Sequence, residues 1–495
     1  MKTPYLLWAL LLLPVAAAGA CLLLRSARAV LRMVVATVAG ASVIAAAAAW
    51  SVLAGSPVET AAGWIYLDAL SAYHLVLLHV VFLLSSSYAC SYFRQESSFG
   101  AAQARRFGAL WMGSLAAMVL VLISNNLGIV WVDIEATTLL TAFLICTHVS
   151  PASLEATWKY LIICSVGVAF AFIGTLLVAA SAGSAHLATG DALLWTRLRA
   201  VAGTMDPAIL KMGFIFLLVG YGTKMGLVPM HNWLPDAHSQ APAPVSAMFS
   251  GFLLNTALYC ILRYVPLVES ATQNSHWALD LLIGFGVLSI LIAGAFIVFQ
   301  QDAKRLLAYS SVEHMGIIAL GVGLGGFGTF AAMFHVMNHS LCKPLAFFSA
   351  GRLGQMYGTH DMAQLAGASR CSPVWGRGFF LSLLVLIGVA PFAIFMSEFQ
   401  ILKAAADRGA FGIMALFLAG MGVVFVGALR HAIGVAWNPP VRQPTSEHAG
   451  IVDRVLVFVP LAILLVLGLW MPESLRAALN QAADVIRGLP HRGGS

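Results

Sequence analysis

Runs of about twenty apolar residues recur along nearly the whole chain, and they decide what it can fold into. That length matches the hydrocarbon thickness of a bilayer. Roughly fourteen such runs are present, near 4–24, 29–53, 67–92, 108–124, 127–148, 157–182, 208–229, 242–265, 278–299, 304–326, 329–350, 377–397, 411–435 and 453–471. Of 495 residues, 60% are hydrophobic and 9% charged, where a soluble domain has about 25% charged. The runs are rich in Ala, Leu and Gly and lack the short alternation of a membrane barrel. An all-α polytopic membrane protein of about 14 transmembrane helices is expected.

The formal net charge of +7 does not indicate nucleic acid, because Lys and Arg sit in short connections without a basic stripe or interleaved aromatics. With loops assigned alternately, the side holding Arg25, Arg28, Arg94, Arg105, Arg106, Lys304, Arg305, Arg352, Arg370 and Arg377 has the larger basic share. The positive-inside rule then puts that side in the cytoplasm and both termini outside, as in a bacterial inner membrane protein. The first run meets Arg25 and Arg28, a stop-transfer pattern, so it reads as a retained helix rather than a cleaved signal. Cys21, Cys90, Cys146, Cys164, Cys260, Cys342 and Cys371 are scattered, with no C-x-x-C pair. Iron–sulfur clusters and cysteine-type zinc need clustered thiolates, so no cofactor is expected on this chain.

Connections are short, the longest polar ones lying around 183–207 and 351–376, with a brief tail from Pro472. Punctuation repeats. The seventh span contains Gly222, Gly226 and Pro229 beside Lys224, and the twelfth contains Gly388 and Pro391 near Glu398. Interrupted helices at matching places in two halves point to inverted repeats around a central pathway. Broken helices 7 and 12 thus predict two inverted five-helix repeats, 108–265 and 278–435. Residues 1–107 hold three preceding helices and 453–495 a last helix with a short tail. By contrast "GLGGFG" (Gly323–Gly328) matches a dinucleotide fingerprint but has no preceding strand, and reads as a tight turn.

An ionisable group at mid-bilayer costs at least about 2.5–3.5 kcal/mol, so each one inside a span needs a reason. Asp133 and Glu135 stand in "LGIVWVDIEATTLLTAFLI" and Lys224 in the seventh span. Glu313 and His314 stand in "KRLLAYSSVEHMG", and Glu398 follows the break in "MSEFQIL", with Lys403 beyond it. In "FHVMNHSLCKPLAFF", His335, His339 and Lys343 are spaced i, i+4, i+8. They share one helical face about 6 Å apart, the spacing of a proton wire with intervening water. A zinc site is the rival reading, but the pattern lacks the glutamate of H-E-x-x-H and the neighbouring ammonium repels a cation. Snorkelling is the rival for Lys224; an ion pair with Glu135 would explain both residues.

"GTKMGLVPMHNWLPDAHSQAPAPVSA", "KRLLAYSSVEHMG" and "MSEFQIL" resemble the signatures of the antiporter-like membrane subunits of respiratory complex I and the Mrp antiporters. "SSVEHMGI" and "HSLCKPLAFFSAG" resemble most the hydrogenase-4 component F group of formate-hydrogenlyase-type complexes. The likeness runs from about residue 108 to 435. It implies a proton relay through Glu135, Lys224, His314, His335, His339, Lys343 and Glu398. It also implies partner membrane subunits and a peripheral redox arm bearing iron–sulfur and nickel–iron or flavin centres. Where some relatives have an eighth-helix lysine this chain has Asn255, and where others have a histidine it has Ser250, so the central link must run through water, His314, His231 or His238. A cation/proton antiporter subunit, an inorganic-carbon uptake partner and a non-pumping scaffold are the competing readings.

Overall fold

Polar residues cut the apolar sequence into helices. The computed structural model describes residues 3–183, 187, 190–441 and 449–490. Six long helices come first: α1 (Thr3–Leu23), α2 (Ala27–Leu53), α3 (Ala69–Arg94), α4 (Ala101–Ile123), α5 (Leu127–Ile145) and α6 (Pro151–Ser181). A small hairpin, β1 (Val58–Thr60) with β2 (Ile65–Leu67), joins α2 to α3. Then follow α7 (Trp195–Val201), α8 (Pro207–Met225), α9 (Trp233–Gln240), α10 (Ala243–Met248) and α11 (Leu254–Ala271). A π-helical turn at Phe249–Leu253 fuses α10 and α11 into one span. The second half holds α12 (Trp277–Phe299), α13 (Ala303–Gly323), α14 (Gly326–Tyr357), α15 (Ala368–Cys371), α16 (Trp375–Leu386), α17 (Ala393–Asp407), α18 (Phe411–Trp437), α19 (Ile451–Leu469) and α20 (Glu473–Ile486).

Helix starts follow capping chemistry. The side chains of Asp68, Asn126, Ser150, Asp206 and Asp302 each accept from free backbone N–H groups of the first turn, which no intrahelical carbonyl can reach. Pro151 and Pro207 occupy first-turn positions, where a missing N–H costs nothing.

Twelve helices among the described residues are long and apolar enough to cross a membrane. The 32-residue α14 and the broken pair α16/α17 are not among them. The most apolar windows of α13 and of the Ala243–Ala271 span are wholly buried, whereas α1, α2 and α18 keep most of theirs outward. A polytopic α-bundle with its polar helices at the centre results. Along its axis α3 and α14 run side by side: the Tyr73 hydroxyl donates to the Met333 carbonyl and the Tyr88 hydroxyl to that of Phe348.

Several segments differ from the sequence reading. The connection after Pro229 is partly helical: α9 starts at Trp233, and Pro235 falls in its first turn, where it is tolerated. The tail after Pro472 forms the amphipathic α20, whose Gln481 donates to the Leu53 carbonyl at the end of α2. Finally α14 reaches Tyr357, seven residues past the expected end, before Gly358 takes a left-handed cap. The "GLGGFG" segment makes the turn between α13 and α14.

Candidate functional site

Both broken helices interrupt their backbones at a glycine with positive φ, Gly226 (+82°) and Gly388 (+70°), three residues before a proline. Lys224 lies in the last turn of α8, next to the first break, and is fully buried. Its Nζ donates to Thr138 Oγ1 and to the Tyr160 hydroxyl, each at 2.7 Å. Thr138 Oγ1 donates onward to the Ile134 carbonyl. Tyr160 stands 2.7 Å from Thr141 Oγ1, whose own proton goes to the Thr137 carbonyl. Tyr160 therefore donates to Thr141, and the chain of donors runs outward from the lysine.

The expected Glu135–Lys224 ion pair is not formed. Glu135, only half-buried, accepts from Ser165 Oγ at 2.7 Å, while two hydroxyls already hold the lysine. Thr138 lies three residues after Glu135 on α5, so the carboxylate is about one turn from the ammonium's present partner. Asp133, two residues earlier on α5, is buried.

The segment after the break is pinned from outside. Asp236 of α9 accepts from Lys159 of α6 at 2.9 Å and from Arg305 of α13 at 2.7 Å. Lys304, also on α13, donates to the carbonyls of Ser239 (2.9 Å) and Ala241. "HNWLPDAHSQ" is thus a strapped half-helix that holds His238 inward. His238 Nδ1 bonds the Leu234 carbonyl at 2.8 Å and its Nε2 has no partner among the described residues. His231, in contrast, packs against Phe296 and Tyr309, towards α12 and α13.

Across the middle, Ser250 and Ser311 share a hydrogen bond of 2.7 Å, and Asn255 donates to Ser340 Oγ at 2.9 Å. Neither side chain exchanges a proton near neutral pH. The Lys343 ammonium donates to the Leu307 carbonyl at 2.9 Å. Glu313 is fully buried, with both oxygens unpaired among the described residues.

Beyond it the histidines come together. His314 Nδ1 lies 2.9 Å from His335 Nε2, and His335 Nδ1 lies 2.9 Å from Ser397 Oγ. The His339 ring stands 5.3 Å from that of His314. Ser397 donates to the carbonyls of Ala393 and Ile394, so it accepts from His335 Nδ1–H. Neutral His335 must then accept at Nε2 from His314 Nδ1–H, which fixes both tautomers. The face of α14 that spacing identified is therefore interleaved by His314 of α13, between His335 and His339. Glu398, one residue past Ser397, is nearly buried, with Oε1 unpaired among the described residues. His314, His335 and Glu398 each place one ligand atom within 4.8 Å of the others; these are the residues that could hold a metal ion. Lys403 stands outside the row, paired with Asp407 at the surface.

Sequence reasoning missed the neutral partners Thr138, Tyr160 and Ser397, which no charge or break marks. It also passed over a buried ion pair, Asp68–Arg263, although Arg263 is a charge inside a span.

The family model for the transmembrane subunits of NADH:quinone oxidoreductase and Mrp antiporters matches residues 124–424. The Hydrogenase-4 component F homolog of Methylacidiphilum infernorum is 40% identical over 345 residues, 69% of this chain and 72% of that protein. Hydrogenase-4 component B of Escherichia coli is 29% identical over 376 residues, 74% of this chain and 54% of that one, so the chain spans about half its length. A chain of the Mrp complex from Dietzia sp. superposes with a TM-score of 0.87, covering 98% of both chains at 21% identity, a likeness of fold. The chain belongs to the NADH:quinone oxidoreductase/Mrp antiporter transmembrane family.

Proposed function

We propose that this chain moves protons across the membrane as a subunit of a multisubunit redox complex of hydrogenase-4 or NADH:quinone oxidoreductase type. The row runs from Glu135 through Lys224, His238, Lys343, His339, His314 and His335 to Glu398. Electron transfer in partner subunits, at iron–sulfur, nickel–iron or flavin centres, supplies the work. One observation carries the reading: Lys224, His238, Lys343, His339, His314 and His335 are all fully buried, with His314, His335 and Ser397 in direct contact. Buried polar atoms without partners among the described residues recur along the row, at Glu313, His314, His339 and Asn255. Such atoms call for water, which bridges the gaps where Ser250 and Asn255 interrupt the titratable groups. The paired breaks at Gly226–Pro229 and Gly388–Pro391 support two inverted repeats, 108–265 and 278–435, within about fourteen spans. The basic connections support a bacterial inner membrane location with both termini outside.

Lys224 works as a swinging carrier. Held by Thr138 and Tyr160, it is away from Glu135 and poised to release its proton toward the centre. One turn along α5, Glu135 offers the charge that reloads it. Moving one proton against 200 mV takes about 4.6 kcal/mol, and burying an ammonium without its counter-charge supplies energy of that order. A sodium-carrying antiporter is disfavoured, because Na⁺ takes oxygen ligands and this row is built of imidazoles and ammonium groups. The test is substrate-driven pumping by the reconstituted complex with Glu135→Gln and Lys224→Ala. Pumping falls at least tenfold in both while assembly survives; equal pumping in all three would leave the chain a scaffold.

A further inference from the structure

A second buried polar file leaves the proposed row and reaches the outside. Asn255, Tyr259 and Arg263 are spaced i, i+4, i+8 on α11 and share one face. At the inner end, Asn255 is tied to Ser340 of α14, next to His339 and one turn from Lys343, and its Oδ1 has no partner among the described residues. At the outer end, Arg263 makes a two-pronged contact with Asp68, Nη1 to Oδ2 at 2.6 Å and Nη2 to Oδ1 at 2.8 Å. The Tyr259 hydroxyl accepts from Arg263 Nε and Nη2 at 2.9 and 2.7 Å, donates to the Leu122 carbonyl at 2.9 Å, and lies 2.9 Å from Ser71 Oγ. His74, one turn on from Ser71, sets its ring 5.3 Å from that of Tyr259. Its Nδ1 bonds the Leu70 carbonyl, leaving Nε2 unpartnered among the described residues at a wholly buried position.

This file ends in open space. Asp68 is part of the wall of a cleft of about 240 Å³, together with Tyr66, Trp195, Arg199 and Val485. Between cleft and file, a void of about 10 Å³ bounded by Asn125, Tyr259 and Arg263 has room for about one water. The Trp195 ring, 4.6 Å from the guanidinium carbon, closes Arg263 off from the cleft. Residues at this end include Thr3, bonded to Ser51, and Gln481, bonded to Leu53; it is the end that bears the N-terminus.

We propose that this file is a side branch that passes protons between the central row and the cleft, with the Asp68–Arg263 pair as its gate. Hops use the Tyr259 hydroxyl, once its proton turns from the Leu122 carbonyl, the Ser71 hydroxyl, His74 Nε2 and intervening water. Asp68 is the last protein acceptor: it takes a proton from the file and gives it to water in the cleft, while each relay group gains one proton for each it releases. The guanidinium stays protonated throughout, so it balances the Asp68 charge between transfers and opposes hydronium returning from outside. Asn255 and Tyr259 stand one helical turn apart along α11, a backbone separation of about 6 Å, and water is the proposed link between them.

The inference rests on the proposed relay, and its test separates the two. Asp68→Asn would strand a buried guanidinium and threaten the fold, so it is not the variant of choice. Tyr259→Phe removes one hydroxyl and leaves the ion pair intact. Val485→Cys places a thiol on the cleft wall, where a bulky, membrane-impermeant methanethiosulfonate plugs the mouth. The measurement is protons moved per electron in the reconstituted complex, with Lys224→Ala and reagent-treated unsubstituted complex as controls. The branch stands if Tyr259→Phe and labelled Val485→Cys each lower that ratio at least threefold. It is overturned if either leaves the ratio unchanged, including the case in which Tyr259→Phe lowers only the thermal stability of the complex. Should Lys224→Ala also leave the ratio unchanged, the relay itself fails; if that variant alone lowers it, only the branch does.

Discussion

At the first break the charged group precedes the kink, and at the second it follows. Lys224 sits in the last turn of α8, where outward-pointing carbonyls favour a cation; Glu398 sits in the second turn of α17, near free N–H groups that favour an anion. The dipole helps the lysine more, because its effect fades beyond the terminal turn. The partners differ as well. The cation is held by neutral hydroxyls in a directed donor chain, whereas the carboxylate stands beside histidines already bonded to one another. The first break is therefore suited to positioning one mobile charge, and the second to passing a proton along contacts already made.

The sharpest way to break this comparison is at the glycines. A Cβ on Gly388 would stand 2.1 Å from Glu398 Oε2, and the residue has φ +70°. Gly388→Ala must therefore displace the carboxylate itself; proton pumping by the reconstituted complex should be lost, with a stability cost of about 1–3 kcal/mol for the left-handed backbone. Tyr160→Phe comes next. It removes one of the two hydroxyl acceptors of a buried ammonium, worth about 1.5–3 kcal/mol, so initial pumping rates should fall about tenfold or more. Ser397→Ala should cost less. It leaves a neutral Nδ1–H unpaired, about 1 kcal/mol, and frees His335 to change tautomer; a rate loss of roughly fivefold is expected. Smaller still is Gly226→Ala, where the clash at 2.5 Å is with Leu234 Cδ1, the far end of a flexible side chain. Its φ of +82° still costs about 1–2 kcal/mol, visible as a lower melting temperature, while pumping per assembled complex stays within about twofold. Equal pumping losses for the two glycine variants would mean that the breaks matter as hinges and not for what lies against them.

Fold and site were legible to different depths. Spans are long, uniform signals, and Leu127–Ile145 or Phe411–Trp437 can be placed within a few residues because hydropathy changes abruptly at a polar cap. The charged members of the row stand out for the same reason, as exceptions to an apolar rule. What failed was pairing. Glu135 and Lys224 seem matched by charge alone, but hydroxyls of Thr138 and Tyr160 met the lysine's need first. Threonine and tyrosine are common in spans, so nothing in composition marks them. His314 between His335 and His339 was equally invisible, because interleaving depends on how α13 packs on α14. Arg263 was a fair signal overlooked: it is a charge in the middle of α11, and only the fold reveals Asp68 of a distant segment as its partner.

The smallest expected effect lies outside the membrane, where the same logic of partners can be checked without assembly. His148, in the connection after α5, stands 2.9 Å from Glu96, beyond the end of α3. The carboxylate raises the histidine above its ordinary value of 6.5, against a burial that would lower it. A group bound more tightly by protons in the folded state stabilises fully below its unfolded value, and that stabilisation disappears as pH rises through the raised folded value. The side chain is 38% exposed, so solvent screening keeps the contribution below about 1 kcal/mol. The purified chain should therefore lose a small part of its melting temperature between about pH 6 and pH 9, and His148→Gln should remove that part of the slope. A histidine variant with an unchanged slope would show that Glu96 gains nothing from the pair, and that proximity here, as for Glu135 and Lys224, is a poor guide to partnership.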